Sequence, residues 1–195
     1  MKIGRPREFE IENAVKDAMN LFWERGYEKT SLEDLLQAMG LSKSSFYSTF
    51  GSKHELFEQC ILHYREMLIG ELLKSLENAS SGRHFIENVF SAIAEETFHP
   101  ENRKGCLVMN SASEFAQRDS VVSELVSQGI RELEQVFVKA INRSHMEGDI
   151  SRKTKAQPMA RYLVSSMSGL KTMVKAGGTP NEIKEVIKIT LKALD

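Results

Sequence analysis

At 195 residues, the chain has room for one domain or two small ones. Its 26 Lys and Arg against 27 Asp and Glu give a net charge of −1, which excludes a broadly basic, histone-like protein. A local cationic surface is still open to it. No apolar run approaches the ~18 residues of a membrane span, and the first seven residues lack the apolar core of a signal peptide. Two cysteines, Cys60 and Cys106, are too few for a disulfide framework, so a reducing cytoplasm is expected.

Apolar residues recur at spacings of three and four: Ala14, Ala18, Leu21 and Phe22 make one stripe, and Leu56, Cys60 and Met67 belong to another. No proline falls between Pro6 and Pro100, and Met, Leu, Glu, Lys, Gln and Ala are abundant. The chain reads as all-α, with about nine helices. The first is expected from about residue 8 to 25, stopped by Gly26. The second starts at Thr30 or Ser31, where two capping boxes overlap, and ends at Met39-Gly40. A short third helix follows Ser42 and ends at Phe50-Gly51. Ser52-x-x-Glu55 opens a long fourth helix toward Asn78, and Ser80-Ser81-Gly82 reads as a loop. Further helices are expected at about 83–98, 103–117, 119–147 and 155–176. Gly177-Gly178, Thr179, Pro180 and Glu182 then spell the stop, cap, N1 and N3 positions around the last one. Domain limits of 1–54 and 55–195 follow.

Between the second and third helices runs Leu35-Leu36-Gln37-Ala38-Met39-Gly40-Leu41-Ser42-Lys43-Ser44-Ser45-Phe46-Tyr47, the arrangement of a helix-turn-helix. Gly40 supplies the positive φ of a sharp turn, while Leu35, Met39, Leu41 and Phe46 lock the helices together. The outward face of the third helix carries Lys43, Ser44, Ser45, Tyr47 and Ser48, short hydroxyls beside a cation and a phenol that suit the DNA major groove. An αα-corner without DNA binding is the bland alternative. Against it stands the absence of any acid from Leu35 through His54, while Lys43, Lys53 and His54 can be positive. Lys53 also falls in the first turn of the fourth helix, where the amides favour a phosphate. Residues 1–54 hold eight Lys and Arg and eight Asp and Glu, so this charge is segregated in position and hidden in the sum.

The run Asn20-Leu21-Phe22-Trp23-Glu24-Arg25-Gly26-Tyr27-Glu28-Lys29-Thr30-Ser31, with Leu41-Ser42-Lys43-Ser44-Ser45-Phe46-Tyr47-x-x-Phe50-Gly51-Ser52-Lys53-x-x-Leu56-Phe57, closely resembles the DNA-binding domain of TetR-family regulators. The resemblance covers about residues 8–60. It implies that Lys43, Ser44, Ser45, Tyr47 and Ser48 face DNA and that Thr30, Ser31 and Lys53 hold its backbone. Thr49 departs from the His or Tyr common in the family, and Leu36 from the usual Ala. Gly105-Cys106-Leu107 matches a motif of one broad branch. Lys2, Arg5 and Arg7, with Gly4 and Pro6, read as an extended arm, solvated or laid in a minor groove.

Met and Phe are frequent after residue 55 and by spacing alone read as core. The resemblance implies a small-molecule pocket there, with Met67, Phe90, Phe98, Met109 and Phe115 as the candidate lining. Cys106 follows Arg103 and Lys104 near a helix start, which favours a reactive thiol sensing oxidants or electrophiles; an inert buried thiol is the rival reading. Cys60 and His63 lie one turn apart but lack a third ligand, so no metal and no cofactor are expected. The broad apolar faces of the last two helices exceed what a monomer buries. A homodimer pairing them, as the family does, implies a near-palindromic double-stranded operator. The sequence thus reads as a DNA-binding regulator, most simply a repressor released by an effector or by Cys106 modification. An enzyme is disfavoured by the absence of nucleotide-binding, metalloprotease or serine-hydrolase motifs. A protein-interaction adaptor would lack salt-dependent binding to duplex DNA.

Overall fold

A computed structural model describes residues 5–115 and 118–195, with side chains from residue 11 onward. Among the described residues the chain is helical with no strand: α1 (Arg5–Arg25), α2 (Leu32–Met39), α3 (Lys43–Phe50), α4 (Lys53–Asn78), α5 (Gly82–Glu95), α6 (Leu107–Phe115), α7 (Ser120–Glu147), α8 (Ala156–Lys175) and α9 (Pro180–Lys192). No helix among them is long and apolar enough to cross a membrane.

Local chemistry accounts for most boundaries. Ser31 and Asp34 form a reciprocal capping box on α2, and Thr179 and Glu182 form one on α9 with Pro180 in the first turn. Of the two boxes expected at the start of α2, only the Ser31 one forms. Ser52 accepts from the Glu55 amide, the one half of its expected box that is present. Ser81 caps α5 by accepting from His84 N–H, which makes Gly82 the first helical residue instead of a loop residue.

Three boundaries differ from expectation. The first helix begins at Arg5, not near Glu8: Pro6 is tolerated in a first turn, so Arg5 and Arg7 are helical and not part of an extended arm. Lys2 and Gly4 lie outside the described residues. The helix expected over 83–98 stops at Glu95 and is followed by 3-10 turns at Glu96–Phe98 and Pro100–Asn102. The helix expected from 103 begins only at Leu107, because Gly105 takes φ +76°. Arg103 and Lys104 therefore precede it, and Cys106 is the residue just before its first turn, its carbonyl accepting from Asn110 N–H at 2.8 Å.

Two apolar cores run through the molecule. One joins α5, α7, α8 and α9 around Phe85, Phe90, Phe137, Leu163 and Ile183. The other surrounds α1–α3 but does not end at residue 54: Leu56, Phe57, Cys60, Ile61 and Tyr64 of α4 belong to it, with Leu107, Val108 and Phe115 of α6 and Val122 and Val126 of α7. Packing is therefore continuous across the expected division at 54/55.

Candidate nucleic-acid interface

The turn between α2 and α3 is built on Gly40, whose φ of +63° lets the Leu41 N–H reach back to Leu36 O at 3.1 Å. Ser42 then caps α3 by accepting from Ser45 N–H at 3.1 Å. Inside α3, Phe46 and Phe50 are buried one turn apart and fix the helix to α1 and α2. Everything between them on the other face is exposed: Lys43, Ser44, Ser45, Tyr47, Ser48 and Thr49. The helix-turn-helix thus presents five of the residues singled out from sequence as one acid-free surface. Tyr47 is 48% exposed and its ring stands edge-on to Phe46, with centroids 5.4 Å apart. Ser45 shares a hydrogen bond with Ser42 Oγ at 2.8 Å and Ser48 donates to Ser45 O at 2.9 Å.

The three flanking residues differ in what they have to offer. Ser31 is exposed at the N-terminus of α2, though its hydroxyl donates to Asp34 Oδ2 at 2.7 Å. Thr30 is fully buried and its hydroxyl donates to Gly26 O at 2.7 Å, so its side chain closes the α1–α2 turn and has no surface for a phosphate. Lys53 is turned inward: Nζ donates to Tyr27 O at 2.8 Å and stands 4.1 Å from the centre of the Tyr27 ring. Burial lowers its ammonium pKa, opposed by Glu28 and Glu114. His54, counted with the cations in the sequence, is engaged by two carboxylates, Asp119 at 2.8 Å and Glu58 at 3.1 Å.

Three long-range hydrogen bonds tie this unit to α6 and the turn that precedes it. Both carboxylate oxygens of Glu114 accept backbone N–H groups of the α1–α2 turn, from Tyr27 at 3.3 Å and Glu28 at 3.0 Å. At the other end of α6, Trp23 Nε1 donates to Gly105 O at 3.2 Å. Sequence reasoning missed all three, because each joins residues more than 80 positions apart by bonds to backbone atoms, which leave no periodic trace.

Cys106 is 4% exposed and lies beside Tyr64, whose phenol is pushed up by burial and then by the Cys106 thiol. The neighbouring cations are directed elsewhere: Arg103 donates to Thr97 O, and the Lys104 ammonium lies 5.7 Å from the Trp23 ring centre. Cys60 is a core thiol, fully buried against Val15 O, with its pKa pushed up by desolvation. Among the described residues no group of three His, Cys, Asp or Glu could hold a metal.

The five residues expected to line an effector pocket are not brought together. Phe90 is fully buried in the α5–α9 core, its ring 6.4 Å from Phe137. Phe115 is buried instead against Tyr27 and Phe57, and Met67 packs against that same core. Phe98 is 54% exposed, with the Lys184 ammonium 5.8 Å from its ring centre. Met109 lines a cavity of about 470 Å³ between the end of α1, α6 and α8. A second, of about 280 Å³, lies between α4, α5 and α8 and is lined by none of the five.

A two-helix corner with an exposed, acid-free second helix, bonded to a larger helical body, has the form of a helix-turn-helix DNA-binding regulator. Comparison with known proteins agrees. Residues 15–60 match the profile of bacterial regulatory proteins of the tetR family, and residues 83–190 match the tetracyclin repressor-like C-terminal domain. The chain belongs to the TetR family of transcriptional regulators, a family of regulators and not of enzymes. It is 29% identical over 194 residues to an uncharacterized HTH-type transcriptional regulator, YezE of Bacillus subtilis, covering 99% of this chain and 100% of that one. It is 24% identical over 196 residues to the HTH-type transcriptional repressor ComR of Escherichia coli, covering 97% and 90%. Among solved structures, a cysteine mutant of the TetR family regulator CifR complexed with 26-bp double-strand operator DNA superposes with a TM-score of 0.84 at 28% identity, covering 98% of this chain and 100% of that one.

Proposed function

We propose that the protein is a cytoplasmic, homodimeric repressor that lays α3 of each protomer into the major groove of a near-palindromic operator. The observation that carries this reading is the α3 surface: Lys43, Ser44, Ser45, Tyr47 and Ser48 exposed together, with no acid between Leu35 and His54. Lys43, Ser31 and Lys53 would meet phosphates, Lys53 by leaving Tyr27 O; Ser44, Ser45, Tyr47 and Ser48 would meet base edges. The operator complex of CifR and the repressor names of ComR and DhaR support the same direction of control. Dimerisation would use α8 and α9, where Tyr162, Met173 and Ile189 are exposed apolar groups beside the small Ser165 and Gly169. Selection of bound sequences from random duplex DNA tests the reading. A two-fold-related consensus is expected, and the absence of any enriched palindrome overturns it.

Release would follow from an effector in the control domain, or from modification of Cys106. The thiol reading draws on one observation: Cys106 adjoins Gly105, whose carbonyl accepts from Trp23 of α1. A bulky adduct there would strain the bond between α1 and α6. Alkylation with N-ethylmaleimide should weaken operator binding in C60S and leave it intact in C106S. Unchanged affinity in C60S after complete alkylation ends the thiol reading and leaves the small-molecule one.

A further inference from the structure

The α4–α5–α8 cavity has an uneven chemistry. Leu68, Leu72, Val89, Ile93 and Met167 make its walls apolar. At one end stands Glu96, the first residue after α5. Its Oε1 accepts from the Lys171 ammonium, while its Oε2 is buried without a hydrogen-bond partner. A buried acceptor left unpaired is costly, and an incoming donor that satisfies it gains correspondingly. The charged lining consists of Glu71, Glu96 and Lys171, so the cavity carries one carboxylate more than it has ammonium groups. Its volume of about 280 Å³ falls just below the roughly 300–1,000 Å³ of drug-sized sites.

We propose that this cavity binds a small apolar amine, its hydrocarbon body against the leucine, valine and isoleucine walls and its N–H donating to the Glu96 carboxylate, which turns its unpaired oxygen toward the ligand. The inference rests on the reading of the chain as an effector-controlled regulator and names the chemical class of the effector. The site also has a physical route to the DNA-binding unit. From Glu96 the chain runs through the two 3-10 turns, where Arg103 donates back to Thr97 O, and ends at Gly105, whose carbonyl holds Trp23 of α1. An amine that draws Glu96 toward itself pulls on one end of this ten-residue strap. Trp23, the single tryptophan of the chain, reports on the other end.

The experiment titrates the full-length protein with hexylamine, 1-hexanol and hexanoate at fixed pH and ionic strength, reading calorimetry and Trp23 fluorescence, with operator affinity measured separately. Saturable hexylamine binding is expected, at least tenfold tighter than 1-hexanol or hexanoate, together with a change in Trp23 emission and weaker operator binding. In E96Q, hexylamine affinity should fall about tenfold while 1-hexanol stays within about twofold. The same variant leaves Lys171 without a carboxylate partner and should gain affinity for hexanoate. V89W, which fills the cavity, should lose binding of both amine and alcohol and keep operator affinity. Equal binding of the three probes, no saturable binding, or hexylamine affinity unchanged in E96Q overturns the proposal. Operator binding by the unliganded protein is judged on its own, so a protein that binds its operator but ignores hexylamine refutes only the amine site.

Discussion

Glu114 of α6 holds the backbone of Glu28 from 86 residues away, its Oε1 lying 3.0 Å from the Glu28 nitrogen while Oε2 takes the Tyr27 N–H. Lys53 fixes the same turn by donating to Tyr27 O. The turn leads directly into Thr30 and the Ser31 cap of α2, so the position of α6 and the orientation of the helix-turn-helix are not independent. A displacement of α6 has to break these bonds or carry the turn with it. That couples α6 to the helix-turn-helix through the α1–α2 turn, and under the proposed effector control shifts in α6 would become shifts between populations of different DNA affinity.

Replacing Glu114 with Gln keeps the side-chain volume but removes the charge and one of two acceptors. Hydrogen bonds to charged groups contribute about 1.5–3 kcal/mol each, and the loss here is partial, so about 1–2 kcal/mol of destabilisation is expected in urea melts. Operator affinity should fall modestly, while any effector response should fall more, because the strap from α6 to the turn is slackened. An unchanged melting midpoint together with an unchanged effector response would show that the clamp carries no coupling.

Lys43 and Lys53 should separate by their behaviour in salt. Each phosphate deprived of its cation takes about 0.9 off the slope of log K against log salt, and a dimer forfeits two per substitution, so K43A should flatten the slope by about 2. K53A should flatten it comparably and also lower stability by about 1 kcal/mol, since it deletes the bond to Tyr27 O at 2.8 Å. S44A should leave the slope alone and alter base preference, measured by selection on random duplexes. A slope unchanged in K53A means that its ammonium stays on Tyr27 O in the complex.

The capping boxes predict an acid limb to stability. Ser31 hydrogen bonds, aided by Arg25 at 3.2 Å, hold the Asp34 carboxyl below its ordinary value, and Thr179 does the same for Glu182. A carboxyl depressed in the folded state contributes stability above its unfolded pKa of about 4 and loses it as the pH falls through the lower folded value. Stability should therefore drop below pH ~4, and S31A and T179A should each make that drop shallower in melts taken from pH 6 to pH 2. A variant whose acid limb parallels the parent's has lost no such linkage.

The helix-turn-helix was legible in the sequence because its determinants are local. Gly40 and Ser42 act on neighbours within a turn or two, and Phe46 and Phe50 lie one turn apart on the buried face, so capping and period reveal them. Failures arose where a residue's fate depends on distant chain. Thr30 looks like Ser31 in sequence, yet the fold buries one and exposes the other. Phe90, Phe98 and Phe115 share composition and spacing but end in one core, on the surface and in the other core. The Glu96–Lys171 pair spans 75 residues and carries no motif, so only tertiary structure discloses the polar end of the α4–α5–α8 cavity.

The proposed dimer interface yields the last test. Most apolar residues of α8 and α9 are spent inside the protomer: Leu163, Val164, Met167, Leu170, Val174, Ile183 and Ile187 are all buried. What remains for a partner is narrower than the sequence suggests, chiefly Tyr162, Met173 and Ile189, the last 67% exposed. A charge at the centre of such a patch must be desolvated without a partner, so I189E should cost several kcal/mol of association and make the protein a folded monomer by analytical ultracentrifugation. I189K should do the same, since the penalty comes from burial and not from the sign of the charge. Operator affinity should fall by orders of magnitude in both, because one α3 then reads half a site without the second to share the cost of docking. Dimers that persist in both variants would move the interface off this face, leaving α3 and its bonds to α6 as they are.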